Sequence, residues 1–292
     1  MKYRIQHTTT YDYDAAVVLQ PHLVRLRPRS DSNQWVQRFE LTIAPTPLAC
    51  SDLTDLDGNA IAKVWFAPEP TRSLTIHATS EVETTCTNPF NYLLEPWATQ
   101  LPLDYPALLL AQLHPYLGGQ HPSTATVFDP AVVQFAQDLW VKSDGHPSQF
   151  LTLLNQQIYA QCHYQVRESG NPLPPGVTWS QKVGSCRDFA ALFMEVCRVV
   201  GLAARFVSGY QEGDRDSSDR HLHAWVEVYL PGAGWCGFDP THGLAVSDRH
   251  IALVSSAFAR YTAPVQGSFS PSGARSQMHY ELQIEFLDAP EG

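Results

Sequence analysis

The sequence predicts an α+β protein: an antiparallel β-rich first part, then a block of helices, then a block of antiparallel strands. Three observations predict it. Over roughly the first 90 residues, apolar and polar residues alternate with a period of two, as in half-buried strands. From Asp129 to Gly201 the apolar period changes to that of helices. Beyond Gly201 strand-like runs return, and helices that precede strands rather than alternate with them indicate α+β, not a doubly wound sheet.

In the first part, Tyr3, Ile5, His7, Thr9 and Tyr11 share one face of a strand. Further β-rich runs cover Leu23–Leu26, Arg38–Ala44, Ala60–Phe66 and Leu74–Thr84, with Asp57-Gly58-Asn59 as a turn. An antiparallel β-sandwich over residues 1–100 is the expectation, with no chemistry of its own. Residues 87–125 are rich in Pro and read as a connector. The second domain is expected over 101–292.

There Asp129-Pro130 opens a helix, with Asp as N-cap and Pro at the first helical position. Val132, Val133, Ala136, Leu139 and Trp140 form its apolar face. A second helix starts near Ser148, with Phe150, Leu153, Leu154 and Ile158 inward. Arg167–Gln181 holds three prolines and two glycines and reads as a loop. A third helix begins near Cys186, carries Phe189, Leu192, Phe193, Val196 and Val200, and stops at Gly201. Strands are expected at Ala204–Tyr210, His223–Leu230, Trp235–Phe238 and Met278–Leu287.

Composition narrows the function. The 292 residues are 44% hydrophobic, which a buried core requires. A net charge of 19 − 29 = −10 argues against a nucleic-acid partner, since phosphate binding needs clustered Lys and Arg. No apolar run approaches the ~20 residues of a membrane helix. The start, MKYRIQHTTTYDYD, has no apolar stretch after Lys2, so no signal peptide is read and a cytoplasmic location is expected. Cysteines at 50, 86, 162, 186, 197 and 236 are expected as free thiols, and no CxxC pair suggests structural zinc. Oligomeric state is not legible.

One cysteine stands apart. Cys186 lies in Gly184-Ser185-Cys186-Arg187-Asp188 at a helix start, where Ser185 and Asp188 can form a capping box. A first-turn sulfur meets unpaired backbone N–H groups and the positive end of the helix dipole, which favour the nucleophilic thiolate. The bland reading is a small buried hydrophobe. His223 sits on a strand with Trp225 two residues on, able to hold its ring by packing; the bland reading is a half-exposed strand histidine. Asp239 falls on the next strand of a hairpin turned by Pro231-Gly232-Ala233-Gly234, where a carboxylate can orient the imidazole. Otherwise Asp239-Pro240 only ends a strand.

Together the segments Gly184–Ala190, Gly201–Tyr210, His223–Val228, Gly234-Trp235 and Phe238-Asp239-Pro240-Thr241 resemble the transglutaminase-like core, in the order Cys, His, Asp, over 148–243. Tyr3–His7 resembles the N-terminal β domain of the bacterial subgroup, and His250-Ile251-Ala252 with Ala263–Gly267 its C-terminal region. The resemblance implies a papain-like core, acyl transfer through a thioester and no required cofactor. It implies Cys186 as nucleophile, His223 as base and acid, and Asp239 as orienter, acting on a peptide or protein. Arg187 and Ala191 depart from the Gln and His of many relatives, which bears on substrate preference. The Cys186 N–H is one oxyanion donor, and Trp179 and Gln181 are candidates for a second.

Two other classes compete. His221 and His223 with Cys186 or Cys236 would form a zinc set; a non-catalytic binding module would have no reason to hold a thiolate. No metal site is the expectation, and no EF-hand-like calcium loop occurs. Glu212–Asp219 reads as a solvated loop. Within the enzyme reading, water as acceptor gives a protease or amidase and an amine gives a cross-linking transglutaminase. Trp225 and Glu227 are candidates for an amine pocket. Hydrolysis is the expectation.

Overall fold

The period-two start of the chain forms six strands: β1 (Lys2–Leu19), β2 (His22–Val24), β3 (Gln34–Ala44), β4 (Ala49–Thr54), β5 (Ala60–Trp65) and β6 (Thr71–Thr84). The computed structural model describes residues 1–118, 128–167, 170–212, 222–271 and 273–287. Tyr3, Ile5, His7 and Thr9 are buried on one face of β1, as their alternation predicts. β4 escaped the sequence reading because all its side chains are exposed, so it carries no alternation; it pairs with β5 around the Asp57-Gly58-Asn59 turn.

The middle of the chain forms α1 (Ala107–Leu113), α2 (Pro130–Lys142), α3 (Pro147–Gln161), β7 (His163–Tyr164), α4 (Pro175–Gln181), β8 (Val183–Gly184) and α5 (Cys186–Val199). The Asp129 side chain caps α2 by accepting from the Ala131 N–H at 2.8 Å. The buried face of α2 is Val132, Phe135, Ala136 and Leu139; Trp140 points outward. The expected loop over 167–181 contains α4. Pro175 opens it with φ already helical, and Trp179 stacks on Phe135 of α2 at 3.5 Å. Tertiary packing outweighs local propensity there.

The strands after α5 are β9 (Ala204–Gln211), β10 (Leu222–Leu230), β11 (Gly234–Asp239), β12 (Leu244–Ala245) and β13 (His250–Ser256), an antiparallel sheet in the order β12-β11-β10-β9-β13. Gly201, at φ +78°, lets the chain turn from α5 into β9. α5 covers one face of this sheet, against Ala224, Val226, Val228 and Leu230. On the other face Trp225 is fully buried with Val207 and Ala252. A Cβ on Gly209 would lie 2.2 Å from the Ile251 carbonyl and 2.6 Å from the Trp225 ring, so only glycine fits beside them.

The chain then returns to its beginning. β14 (Val265–Gln266) pairs with β2, while β15 (Phe269–Ser270) and β16 (Ser276–Phe286) pair with β1. Residues 265–286, expected in the 101–292 unit, thus complete the sheets of the first. The reason is an open edge: β1 offers β16 an eleven-residue register from Tyr3 to Tyr13. The resulting β domain has two antiparallel sheets, one of β15, β1, β6, β3 and β16, the other β14-β2-β5-β4. Their shared core includes Tyr210, Ile251, Leu253 and Val254 from the sheet behind α5, so the β domain packs against that sheet. Among the described residues, no helix is long and apolar enough to cross a membrane.

Candidate active site

The site assembles where α5 begins against β10 and β11. Asp188, in the first turn of α5, reaches back to accept from the Ser185 N–H at 2.7 Å and the Ser185 hydroxyl at 2.8 Å. Its other oxygen takes Arg167 at 2.5 Å and the Leu173 N–H at 2.7 Å. One buried carboxylate therefore fixes both the helix start and the loop beside it. Cys186 is the first helical residue, half-buried, with its backbone N–H outside the helical ladder.

His223 lies on β10, opposite Gly209 of β9. Its Nε2 donates to Asp239 Oδ2 at 2.8 Å, which leaves Nδ1 to face the thiol hydrogen-bonded to it. Asp239 is fully buried, and five donors converge on it. Oδ1 accepts from the Thr241 N–H at 3.0 Å and the His242 N–H at 3.3 Å. Oδ2 accepts from His223, from His242 Nδ1 at 2.8 Å and from His250 Nε2 at 3.0 Å.

The charges follow. Burial pushes the Cys186 thiol up, but the hydrogen bond and charge of His223, the Ala224 backbone and nearby Arg187 outweigh it and lower its pKa. Burial opposes the charged His223, yet the Asp239 carboxylate and the Cys186 partner raise it to about 10. Asp239 is held well below the usual carboxylate range against its own desolvation, by His223, His242 and His250. All six cysteines are free. Cys50, Cys86 and Cys162 are raised, Cys236 to about 12 and Cys197 well above a free thiol, in each case by burial first. This combination supports a thiolate–imidazolium pair, the nucleophile of covalent acyl chemistry.

The sequence did not single out Tyr164, His242 or His250. Tyr164 on β7 runs parallel beside Gly184 of β8, and its hydroxyl hydrogen-bonds Cys186; burial first, then the thiolate charge, raises that phenol to about 12. His242 and His250 arrive from the turn after β11 and the start of β13. Among 12 histidines, no spacing marks them.

The candidate second donors lie differently from the triad. Trp179 has its ring on Phe135 and beneath the Lys182 ammonium, and Gln181 is exposed at the end of α4. Arg187 ties down the neighbouring loop through the Gly170 carbonyl at 2.6 Å and the Arg167 carbonyl. Ala191 lines a 710 Å³ cavity along α5, with Met194, Arg198 and Phe258, which includes none of Cys186, His223 and Asp239. Trp225 and Glu227 offer no amine pocket: Trp225 is buried, and Glu227 pairs with Arg205 at 2.6 Å and Arg29 at 3.3 Å.

His221, and all of Glu212–Asp219 except Glu212, lie outside the described residues. Among the described residues, His223, Asp239 and His250 form a set with metal-ligand chemistry. Their N···O separations of 2.8 and 3.0 Å are those of N–H···O bonds. Two ligands on a tetrahedral zinc stand about 3.3 Å apart, so the cluster is packed as a hydrogen-bonded one.

Family comparisons agree with this architecture. The family model described as the bacterial transglutaminase-like N-terminal region matches residues 3–83, and that of the transglutaminase-like superfamily matches 134–240. An uncharacterized protein of Mycobacterium tuberculosis is 31% identical over 271 residues, covering 86% of this chain and 82% of that protein. The chain belongs to the transglutaminase-like superfamily. A 69-residue stretch is 38% identical to a protein-glutamine gamma-glutamyltransferase of Pseudomonas aeruginosa, over 21% of this chain and 10% of that protein. The structure of a candidate cysteine protease from Cytophaga hutchinsonii superposes with a TM-score of 0.72 at 18% identity, over 99% of this chain and 92% of that one, which shows a shared fold. Members of this superfamily with such a core are typically cysteine proteases or transglutaminases.

Proposed function

We propose that this protein hydrolyses amide or peptide bonds through a thioester on Cys186. The observation that carries the reading is the pairing of Cys186 with His223 and of His223 with Asp239 at 2.8 Å, at the one lowered thiol of the six. The thiolate attacks the carbonyl carbon, and the carbonyl electron pair moves to oxygen, facing the Cys186 N–H. Collapse breaks the C–N bond while His223 passes its Nδ1 proton to the leaving nitrogen. Water then adds to the thioester as His223 takes a proton from it. A second collapse expels the thiolate and frees the acid. The substrate is a peptide or protein segment lying across the seam between α5 and the β10–β11 hairpin.

Water is preferred to an amine as acceptor because Glu227, the carboxylate expected to hold a protonated amine, is already neutralised by two arginines. Without a site that holds the amine and excludes water, ~55 M water wins the thioester. The test offers a glutamine-containing protein with a labelled primary amine at millimolar concentration. Released acid or new peptide ends should outpace incorporated label; incorporation that leads would overturn the hydrolase reading and leave the nucleophile intact.

A further inference from the structure

We propose that His250 is a positioning residue of this site: by donating its Nε2–H to the same Asp239 oxygen that receives His223 and His242, it adds a third imidazole to that oxygen and loosens the carboxylate's hold on the His223 proton. The inference rests on the acyl-transfer reading above. It adds a group from β13, beyond the 134–240 span that the superfamily core matches.

The geometry fixes the direction of the bond. Asp239 Oδ2 can only accept, so His250 Nε2, 3.0 Å away, must carry the hydrogen. The opposite nitrogen, Nδ1, is buried without a partner. A lone pair tolerates that position, whereas a second N–H would be buried unpaired at a cost of about 1–3 kcal/mol. His250 is therefore held neutral, consistent with the lowering of its pKa by burial. It serves as a fixed donor rather than a second acid. Its ring meets the Trp225 ring edge-on at 5.3 Å, which sets the direction of Nε2. The titratable groups around it are His223 of β10, Asp239 of β11 and His242 of the following turn. On the neighbouring β9, Tyr210 turns to His7 instead, at 2.9 Å.

The chemistry gives this sharing a use. A buried aspartate with one imidazole would hold the imidazolium proton tightly, and a proton held tightly is given up slowly to a leaving amine. A competing donor on Oδ2 withdraws electron density from the His223 bond. His223 stays protonated beside the thiolate yet remains an effective acid.

The test compares wild type with His250→Phe, which keeps a ring against Trp225 and removes the donor, and His250→Gln, which restores an N–H donor. The first readout is Cys186 alkylation by iodoacetamide against pH, which needs no substrate and so is independent of the hydrolase reading. In the Phe variant, the alkaline limit of the ion pair should move up by about one pH unit, a tenfold gain in His223 proton affinity. Amide turnover should fall more than turnover of an ester, whose leaving group needs no proton. The Gln variant should return the limits towards those of wild type. A uniform loss with unmoved pH limits would mean a purely structural role and overturn the proposal. Should the Phe variant not fold, ¹⁵N-histidine spectra of wild type decide. His250 should keep the neutral Nε2–H pattern from about pH 5 to about pH 9, around the ordinary histidine range. An imidazolium at position 250 within that range sinks the idea.

Discussion

At the scale of the residue, one thiol is lowered while burial raises the other five, so reactivity should sort the cysteines without any substrate. At about pH 6, where a free thiol near pKa 8.5 is almost fully protonated, iodoacetamide should label Cys186 first. Labelling of Cys197 at an equal rate would remove the nucleophile assignment. In the proposed mechanism His223 moves the proton and Asp239 holds the imidazole, so His223→Ala should lose on the order of 10²–10⁴ in kcat/KM. Asp239→Ala should lose less, and a larger loss there would make the carboxylate the reacting group. The pH window follows from the shifts cited. The ion pair exists above the lowered thiol pKa and is lost as pH rises through about 10, where His223 gives up its proton. Cys186, His223 and Asp239 were legible together through the resemblance to the transglutaminase-like core, since a capped helix start and a hairpin alone left each of them a bland reading. His250, His242 and Tyr164 were not, because their partners come from separate elements and no periodicity encodes such a meeting.

At the scale of the element, the start of α5 depends on Asp188 more than its role in a capping box suggests. The carboxylate serves Ser185 twice, Leu173 and Arg167, and its pKa is lowered despite burial. Asp188→Ala should therefore cost at least the ~0.5–2 kcal/mol of a lost cap, and leave Arg167 without its carboxylate. Because the thiolate sits in the first turn, the variant should also raise the pH at which Cys186 alkylates. A shift in melting temperature without that change would confine Asp188 to stability. The capping pattern of α5 and the Asp129-Pro130 start of α2 were readable because caps are local chemistry. The helix α4 was not, because its support is the Phe135–Trp179 stack contributed by another helix. The burial of both faces of β10 was equally hidden. Alternation in His223–Tyr229 suggests one wet face, but Trp225 lies against Val207 and Ala252, and Glu227 is neutralised by Arg205 and Arg29.

At the scale of the whole molecule, the β domain and the sheet behind α5 should unfold as one unit. Tyr210, Ile251, Leu253 and Val254 belong to that sheet but are buried in the core of the β domain. Polar contacts cross the same boundary: His7 to Tyr210 at 2.9 Å, Asn59 Nδ2 to the Ser255 carbonyl at 2.8 Å, and Thr84 Oγ1 to the Asp248 carbonyl at 2.7 Å. Gln34 both donates to the Ala252 carbonyl and accepts from its N–H. The return of β16 to β1 closes the chain over the boundary a second time. Burying each of the four apolar side chains is worth about 1.5–3 kcal/mol, or roughly 6–12 kcal/mol together, as large as the ~5–15 kcal/mol stability of a whole domain. A fragment limited to 134–240, the span of the superfamily core match, lacks β13 and exposes Tyr210, so it should be unfolded or associated. The full chain should show a single calorimetric transition whose van't Hoff and calorimetric enthalpies agree. Two resolved transitions, with Cys186 alkylation surviving the first, would show that the site stands without the β domain and overturn this coupling.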